Sequence, residues 1–402
     1  MKTKVFIITL ATMFIPFISC VRPSDPAGSY GFDKEFFKAN HIEVVELSDG
    51  DQAYVMVIPA YQGRVMTSSA CGLEGDSYGW INYDLIASGE QREAFNPVGG
   101  EERFWLGPEG GLFSYYFKKG DEQVYSNWRV PSILDRDPFR VVAKSPDSVS
   151  LQAEAHLVNA SDVRFDIGIE RVVSVLGKKD LPAVLGFELP ASLHVVAYKT
   201  VNTISNNGGE PWTKEGGMPS VWMLGMFNPT ETTTVFIPYA QDVEGPVVND
   251  TYFGKVPSER LVAEDGVIYF KIDGKYRSKI GLPAGRAKDI CGSYDSGKQV
   301  LTILKYTLPE GDSPYMNGQW GEQENPFDGD VINSYNDGPT ETGFVQGPFY
   351  EIETSSPGAE LAPGDSLTHI QYVFHIQGDR AELEQVVGEV FGLDLKVIED
   401  KF

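Results

Sequence analysis

Apolar and polar residues alternate with a period of two along much of this chain. Val149, Leu151, Ala153, Ala155 and Leu157 share one parity, and Phe165, Ile167 and Ile169 repeat the pattern. Side chains two apart project from the same face of an extended strand, so these runs predict half-buried β-strands. Further β-rich runs, Tyr54 to Ile58, Thr232 to Tyr239, Val267 to Ile272 and Val300 to Leu308, are bounded by Gly, Pro, Asp or Asn. The pattern is that of an all-β sandwich rather than alternating βα units. Helix is confined to two places. Asp379 to Leu393 sets Leu383, Val386, Val387, Val390 and Phe391 at helical spacing before a stop at Gly392, and Asp33 to Ala39 forms a short turn docked by Phe36 and Phe37. With no internal repeat and no interdomain linker, residues 32–402 read as one domain.

Near the C-terminus the alternation carries charge. Tyr350-Glu351-Ile352-Glu353 predicts a strand that stops at Ser355, Ser356, Pro357 and Gly358. A turn at Ala362-Pro363-Gly364-Asp365 then leads into a final strand, Leu367 to Ile376, with Ile370, Tyr372 and Phe374 on one parity and His369, Gln371 and His375 interleaved. Glu351 and Glu353 therefore share a face. One reading makes them the solvated side of an antiparallel strand, since charged residues are mostly exposed; the other makes them a pair with a chemical task.

The first residues read as a processing signal. Lys2 and Lys4 precede an apolar run from Val5 to Ile18, and Pro16 and the shortness of the run argue against a membrane span. Phe17-Ile18-Ser19-Cys20 resembles a bacterial lipobox, which implies a signal peptide over residues 1–19, lipid on Cys20 and a tether over residues 20–31. Val21 after Cys20, in place of an aspartate, favours the outer membrane of a Gram-negative cell. A net charge of −24 disfavours nucleic acid and anionic lipid surfaces as partners and suits neutral sugars. Cys71 and Cys291 remain as a candidate disulfide, and no Cys/His spacing suggests zinc.

Two glycine-rich segments hold the other candidates. Gly99 to Gly111, GGEERFWLGPEGG, is expected to be a shaped loop in which Arg103, Trp105 and Glu109 combine a forked donor, an aromatic face and an acceptor. These are ingredients of sugar recognition; the alternative is an ion pair from Arg103 to a glutamate, lying on a core tryptophan. Gly318 to Pro339 is also expected to be a loop. Its Trp320, Glu322, Glu324, Asp328, Asp330, Asn333, Tyr335, Asn336 and Asp337 offer a hydrogen-bonding rim for a sugar or, less well matched in spacing, oxygen ligands for calcium. No other cofactor is called for. Trp222, in the apolar run Val221 to Met226, reads as core.

Three of these pieces together resemble the galactose mutarotase-like superfamily, the aldose 1-epimerases and their relatives. Glu353-Thr354, Pro357 and Leu361-Ala362-Pro363-Gly364-Asp365 look like the epimerase pattern of a catalytic glutamate before a Leu-x-Pro-Gly-Glu turn and a final strand with a histidine, here His369. Gly63-Arg64-Val65 looks like the early Gly-Arg turn, and Gly99, Gly100, Arg103, Trp105 and Pro108 look like the sugar-contacting loop. The resemblance implies a β-supersandwich with a concave, open sugar-binding face, Glu353 as general base with Glu351 beside it, and Arg103 orienting substrate. The stretch where the family's acid histidine should sit, Thr200 to Phe227, contains no histidine. The expected function is a lipid-anchored carbohydrate-active protein with an epimerase-like cleft. A noncatalytic sugar-binding lipoprotein is the alternative, with a glycosidase or polysaccharide lyase behind both.

Overall fold

The computed structural model of the chain describes residues 27–340 and 343–402. The expected signal peptide and the expected lipid anchor at Cys20 lie outside the described residues. At the end of the segment expected to be a tether, Ser29 caps a helix spanning Tyr30–Ala39, in which Tyr30, Gly31 and Phe37 are buried.

Two antiparallel sheets face each other. The larger has ten strands, in the order Leu261–Glu264, Val267–Lys271, Thr233–Pro238, Ile290–Asp295, Val300–Tyr306, Ser366–Gln377, His194–Asn206, Arg164–Val175, Ser148–Val158 and Arg140–Lys144. The smaller has five, in the order Ser278–Pro283, Asp330–Asn336, Tyr350–Ser355, Ser220–Phe227 and Arg103–Gly107. A third sheet of Val45–Ser48, Tyr54–Ile58 and Arg64–Ser69 joins the sandwich through a bridge from Val65 to Glu102. The all-β expectation is met, and the terminal helix runs over Arg380–Phe391 between an Asp379 cap and Gly392.

Between the sheets Leu151, Ile167, Ile169 and Val373 of the large one belong to the same core as Val221, Met223, Ile280, Ile332 and Ile352 of the small one. The helix buries Leu383, Val386 and Val387 on the outer face of the large sheet, against Phe374 and Ile376. The final strand thus reverses the orientation its alternation suggests. Its polar set, His369, Gln371 and His375, turns into the sandwich, while Phe374 turns out towards the helix.

Those inward polar groups belong to a connected layer. Arg171 is fully buried and donates to the Gly63 carbonyl at 3.0 Å, Asn202 at 2.5 Å and Glu102 at 2.6 Å. The other Glu102 oxygen accepts from Gln371 at 2.6 Å and Thr200 at 3.2 Å. Thr354 donates to Gln371 at 2.6 Å and lies 2.9 Å from His369 Nε2. Nearby, His375 meets Glu101 at 2.9 Å and Thr302 at 2.8 Å, with Tyr78 stacked on its ring at 4.3 Å. The fully buried charges of Arg171 and Glu102 are paired with each other, as removal from water demands.

Three expectations are corrected. Within Gly99 to Gly111, Arg103–Gly107 is a regular edge strand whose Phe104 and Leu106 enter the core. The glycines before it allow close packing: a Cβ on Gly99 would lie 2.1 Å from the Trp80 carbonyl oxygen. Within Gly318 to Pro339, Asp330–Asn336 is an interior strand. Its polar residues hide this because their hydrogen bonds are made inside the fold, Ser334 donating to the Glu351 carbonyl at 2.8 Å. Cys71 and Cys291 are both free, the latter buried with its thiol pushed up to about 12 by desolvation.

Candidate functional site

Thr354 faces the sandwich interior, so its neighbours Glu351 and Glu353 point from the opposite face of the small sheet. Strand register assembles the rest. Asn333, Glu353, Leu224 and Arg103 lie in one row across four strands, and Lys279, Tyr335, Glu351 and Met226 in the next. Charges pair between these rows. Arg103 Nη2 meets Glu351 Oε1 at 2.5 Å, and Lys279 Nζ meets Glu353 Oε2 at 2.9 Å. Trp222 donates its indole N–H to the same Glu353 oxygen at 2.9 Å.

The site is enclosed. Glu353 is 0% exposed, Arg103 3% and Glu351 6%, so the open concave face implied by the resemblance is a covered one. Trp105 is no free platform: its ring lies under the Arg103 guanidinium at 4.5 Å, its indole donates to the Leu134 carbonyl at 3.0 Å, and Phe95, Tyr116, Trp128 and Trp222 surround it. The ion-pair reading of Arg103 therefore holds, with Glu351 as the partner. Of the eleven buried side-chain polar atoms without a partner among the described residues, three belong to this charged pair of rows: Arg103 Nε and Nη1, and Glu353 Oε1. Such atoms are costly to bury, and they mark where a polar ligand would be met.

Electrostatics separates the carboxyls. Glu351 is raised to about 7 by burial, with Arg103 pulling down and Glu353 adding to the rise. Glu109 is raised by burial, opposed by Lys279 and by the indoles of Trp320 and Trp128, and raised further by Glu353. Lys279 is raised: burial lowers it, but Glu353, Glu109 and Glu351 outweigh that.

The structure thus brings together Glu351, Glu353, Arg103, Trp105, Glu109, Asn333 and Tyr335. It separates Asn336, which bonds Gly274 N, Asp273 and the Tyr276 carbonyl and so secures a turn on the far side of the strand. Asp337 stands one step back, accepting from the Tyr335 hydroxyl at 2.7 Å. Nothing in the sequence pointed to Lys279 or Tyr252, and Trp222, expected in the core, is buried there but also reaches Glu353. Tyr252 donates to Asp330 at 2.6 Å, accepts from Asn333 at 3.1 Å and sets its ring 5.3 Å from the Lys279 ammonium. Glu322, Glu324 and Asp328 are exposed, and no group of three or more His, Cys, Asp or Glu among the described residues is placed to hold a metal ion.

Asp330 gives this edge of the site a pH signature. Burial pushes its carboxyl up to about 6, against the Tyr252 and Asn249 hydrogen bonds and Lys279. The folded state then holds a proton that the unfolded chain, with a carboxyl near ~3.9, has released, so this group's stability contribution is lost as pH rises from about 4 to 6. Asp330→Asn removes that loss. In urea titrations the variant should gain on the parent by on the order of 2 to 3 kcal/mol between pH 4 and pH 7. An unchanged difference between the two proteins at both pH values would contradict the assignment.

The facing ten- and five-stranded sheets form an antiparallel β-sandwich, the architecture that the sequence resemblance implied. The chain belongs to a family of unknown function, DUF6786, whose match spans residues 28–402. Slr1438 from Synechocystis sp. PCC 6803 is similar in fold, with 12% identity, coverage of 84% of this chain and 96% of its own, and a TM-score of 0.50. A putative aldose 1-epimerase from Escherichia coli K12 shows 12% identity over 83% of this chain and 99% of its own, with a TM-score of 0.45. A galactose mutarotase-like protein from Lactobacillus casei ATCC 334 shows 10% identity over the same shares, 83% and 99%, with a TM-score of 0.46. Likenesses this distant speak to fold and not to chemistry. No curated protein matches the chain.

Proposed function

We propose that this protein binds a neutral sugar at the covered face and acts on its anomeric centre in the manner of an aldose 1-epimerase. The carrying observation is the division of labour on Glu353. One oxygen is fixed by Lys279 and Trp222, while the other is buried without a partner among the described residues, as are two N–H donors of Arg103 in the same row of the sheet. In this reading the free oxygen takes the proton of the anomeric hydroxyl, Arg103 orients the ring, and Asn333 and Tyr335 contribute polar contacts at the edge. Two carboxyl groups paired with the two cations leave no spare cation to receive a phosphate or carboxylate, which favours a neutral ligand. The lipid anchor at Cys20 and a station at the Gram-negative outer membrane belong to the same proposal and rest on Phe17 to Val21.

Glu353→Gln is the test, read for both sugar binding and anomer interconversion. Retained thermal stabilisation by sugar with interconversion lost, by 100-fold or more, is the expected result for a positioned base, which contributes about 10²- to 10⁴-fold. A parent protein that interconverts none of a broad panel of free sugars rules the enzyme out. The noncatalytic reading has an observation of its own: the Lys279 ion pair holds Glu353 as a binder's hydrogen-bond acceptor would be held. It predicts that Glu353→Gln weakens sugar binding and that no interconversion exists to lose.

A further inference from the structure

Opening a pyranose ring needs a proton donor for the ring oxygen as well as a base. None of the chain's five histidines can fill that place. His41 and His194 are exposed, and His194 and His156 belong to the large sheet, His156 being held by Asp166 at 2.6 Å. His369 and His375 are locked between the sheets. On the covered face, the hydroxyl protons of Tyr252 and Tyr335 are committed to Asp330 and Asp337. Glu351 is held in an ion pair by Arg103, and Lys279 is bound to Glu353.

Glu109 remains. It lies two residues beyond the Arg103–Gly107 strand, half-buried, beside Lys279, Glu353 and the Trp320 and Trp128 indoles. Its turn is seated on the segment before Trp320: a Cβ on Gly110 would fall 2.2 Å from the Gln319 carbonyl oxygen, and the Ser114 hydroxyl donates to the Glu109 carbonyl. That seating fixes the backbone of Glu109, whose carboxyl lies within electrostatic reach of Lys279 and Glu353.

We propose that Glu109 is the proton donor that works with Glu353, so that the site runs on two carboxyls rather than on a glutamate and a histidine. The inference rests on the anomeric reading above. In the forward step Glu353 takes the proton from the anomeric hydroxyl, a carbonyl forms at that carbon, the bond from it to the ring oxygen breaks, and the ring oxygen takes the proton of Glu109. After rotation about the neighbouring carbon–carbon bond, the ring hydroxyl attacks the other carbonyl face. It returns its proton to Glu109, while the new anomeric oxygen recovers one from Glu353. Two carboxyl groups whose surroundings hold one protonated and one ionised form a workable acid–base couple. Burial and then the nearby Glu353 favour the protonated form of Glu109, against the pull of Lys279 and of the Trp320 and Trp128 indoles, while Glu353 is bonded to the Lys279 ammonium and the Trp222 indole.

The experiment follows the interconversion of freshly dissolved α-D-glucose and α-D-galactose by polarimetry, in the parent, Glu109→Gln, Glu109→Asp and Glu353→Gln. Glutamine keeps the shape and neutrality of a protonated glutamate, so sugar-induced thermal stabilisation should persist in Glu109→Gln while the rate falls about 100-fold or more. The fall of the parent's rate at high pH, where the donor ionises, should disappear with it. Glu109→Asp should restore part of the rate together with that limb. A Glu109→Gln variant with the parent's rate and pH profile, alongside an inactive Glu353→Gln, overturns the role of Glu109 and leaves the base in place. A parent inactive on every sugar tried overturns both.

Discussion

Arg171→Met should destabilise the fold by about 3 to 5 kcal/mol, the range for removing one partner of a buried ion pair. The cost arises less from the lost contacts than from what remains. Glu102 would stay fully buried with its charge uncompensated, and the Gly63 carbonyl and Asn202 would lose their donor. Adding Glu102→Gln should recover a large part of the loss, because an amide can still engage Thr200 and Gln371 without charge. Urea unfolding of the two single variants and the double variant closes the cycle. Additive losses in the double variant would mean that the two residues act separately, contrary to their 2.6 Å contact.

Lys279→Met is expected to act on the other face with a different pH dependence. It leaves the Glu353 carboxylate buried, with only the Trp222 indole beside it. A loss of about 3 to 5 kcal/mol at pH 7 should follow, together with loss of sugar-induced stabilisation. A carboxylate stripped of its cation takes up a proton instead, so the deficit should shrink as pH falls towards 5. Combining Lys279→Met with Glu353→Gln should restore stability at pH 7 without restoring activity. A deficit independent of pH would show that Lys279 serves packing over Trp222 and Tyr252, not charge balance.

What could be read from the sequence follows from what each residue type ordinarily does. Strands such as Ser148–Val158 and Arg164–Val175 were legible because one side is dry and the other is not. The shared face of Glu351 and Glu353 followed from the pleat alone, since it needs no knowledge of neighbours. Their partners did not follow. Arg103 and Glu351 stand 248 positions apart, and nothing local announces that two charged residues will be withdrawn from water together. Lys279 sits between Ser278 and Ile280 like any lysine on a solvated strand face, and only the register with Tyr335 reveals its place. The Asp330–Asn336 strand was hidden for a related reason: its Asn, Ser and Tyr side chains spend their polarity on backbone and side-chain partners inside the fold. Trp222 looked apolar and is, except for the one N–H that meets Glu353.

The enclosure of Glu353 bears on how fast a ligand could arrive. Trp320 closes over Phe117 and Trp128, and Tyr252 ties its segment to Asp330 and Asn333, so no sugar meets the carboxylate by simple collision. Entry would require those contacts to part first. Association would then be governed by a first-order opening whose rate sets a ceiling, and the observed binding rate would level off with sugar concentration instead of climbing with it.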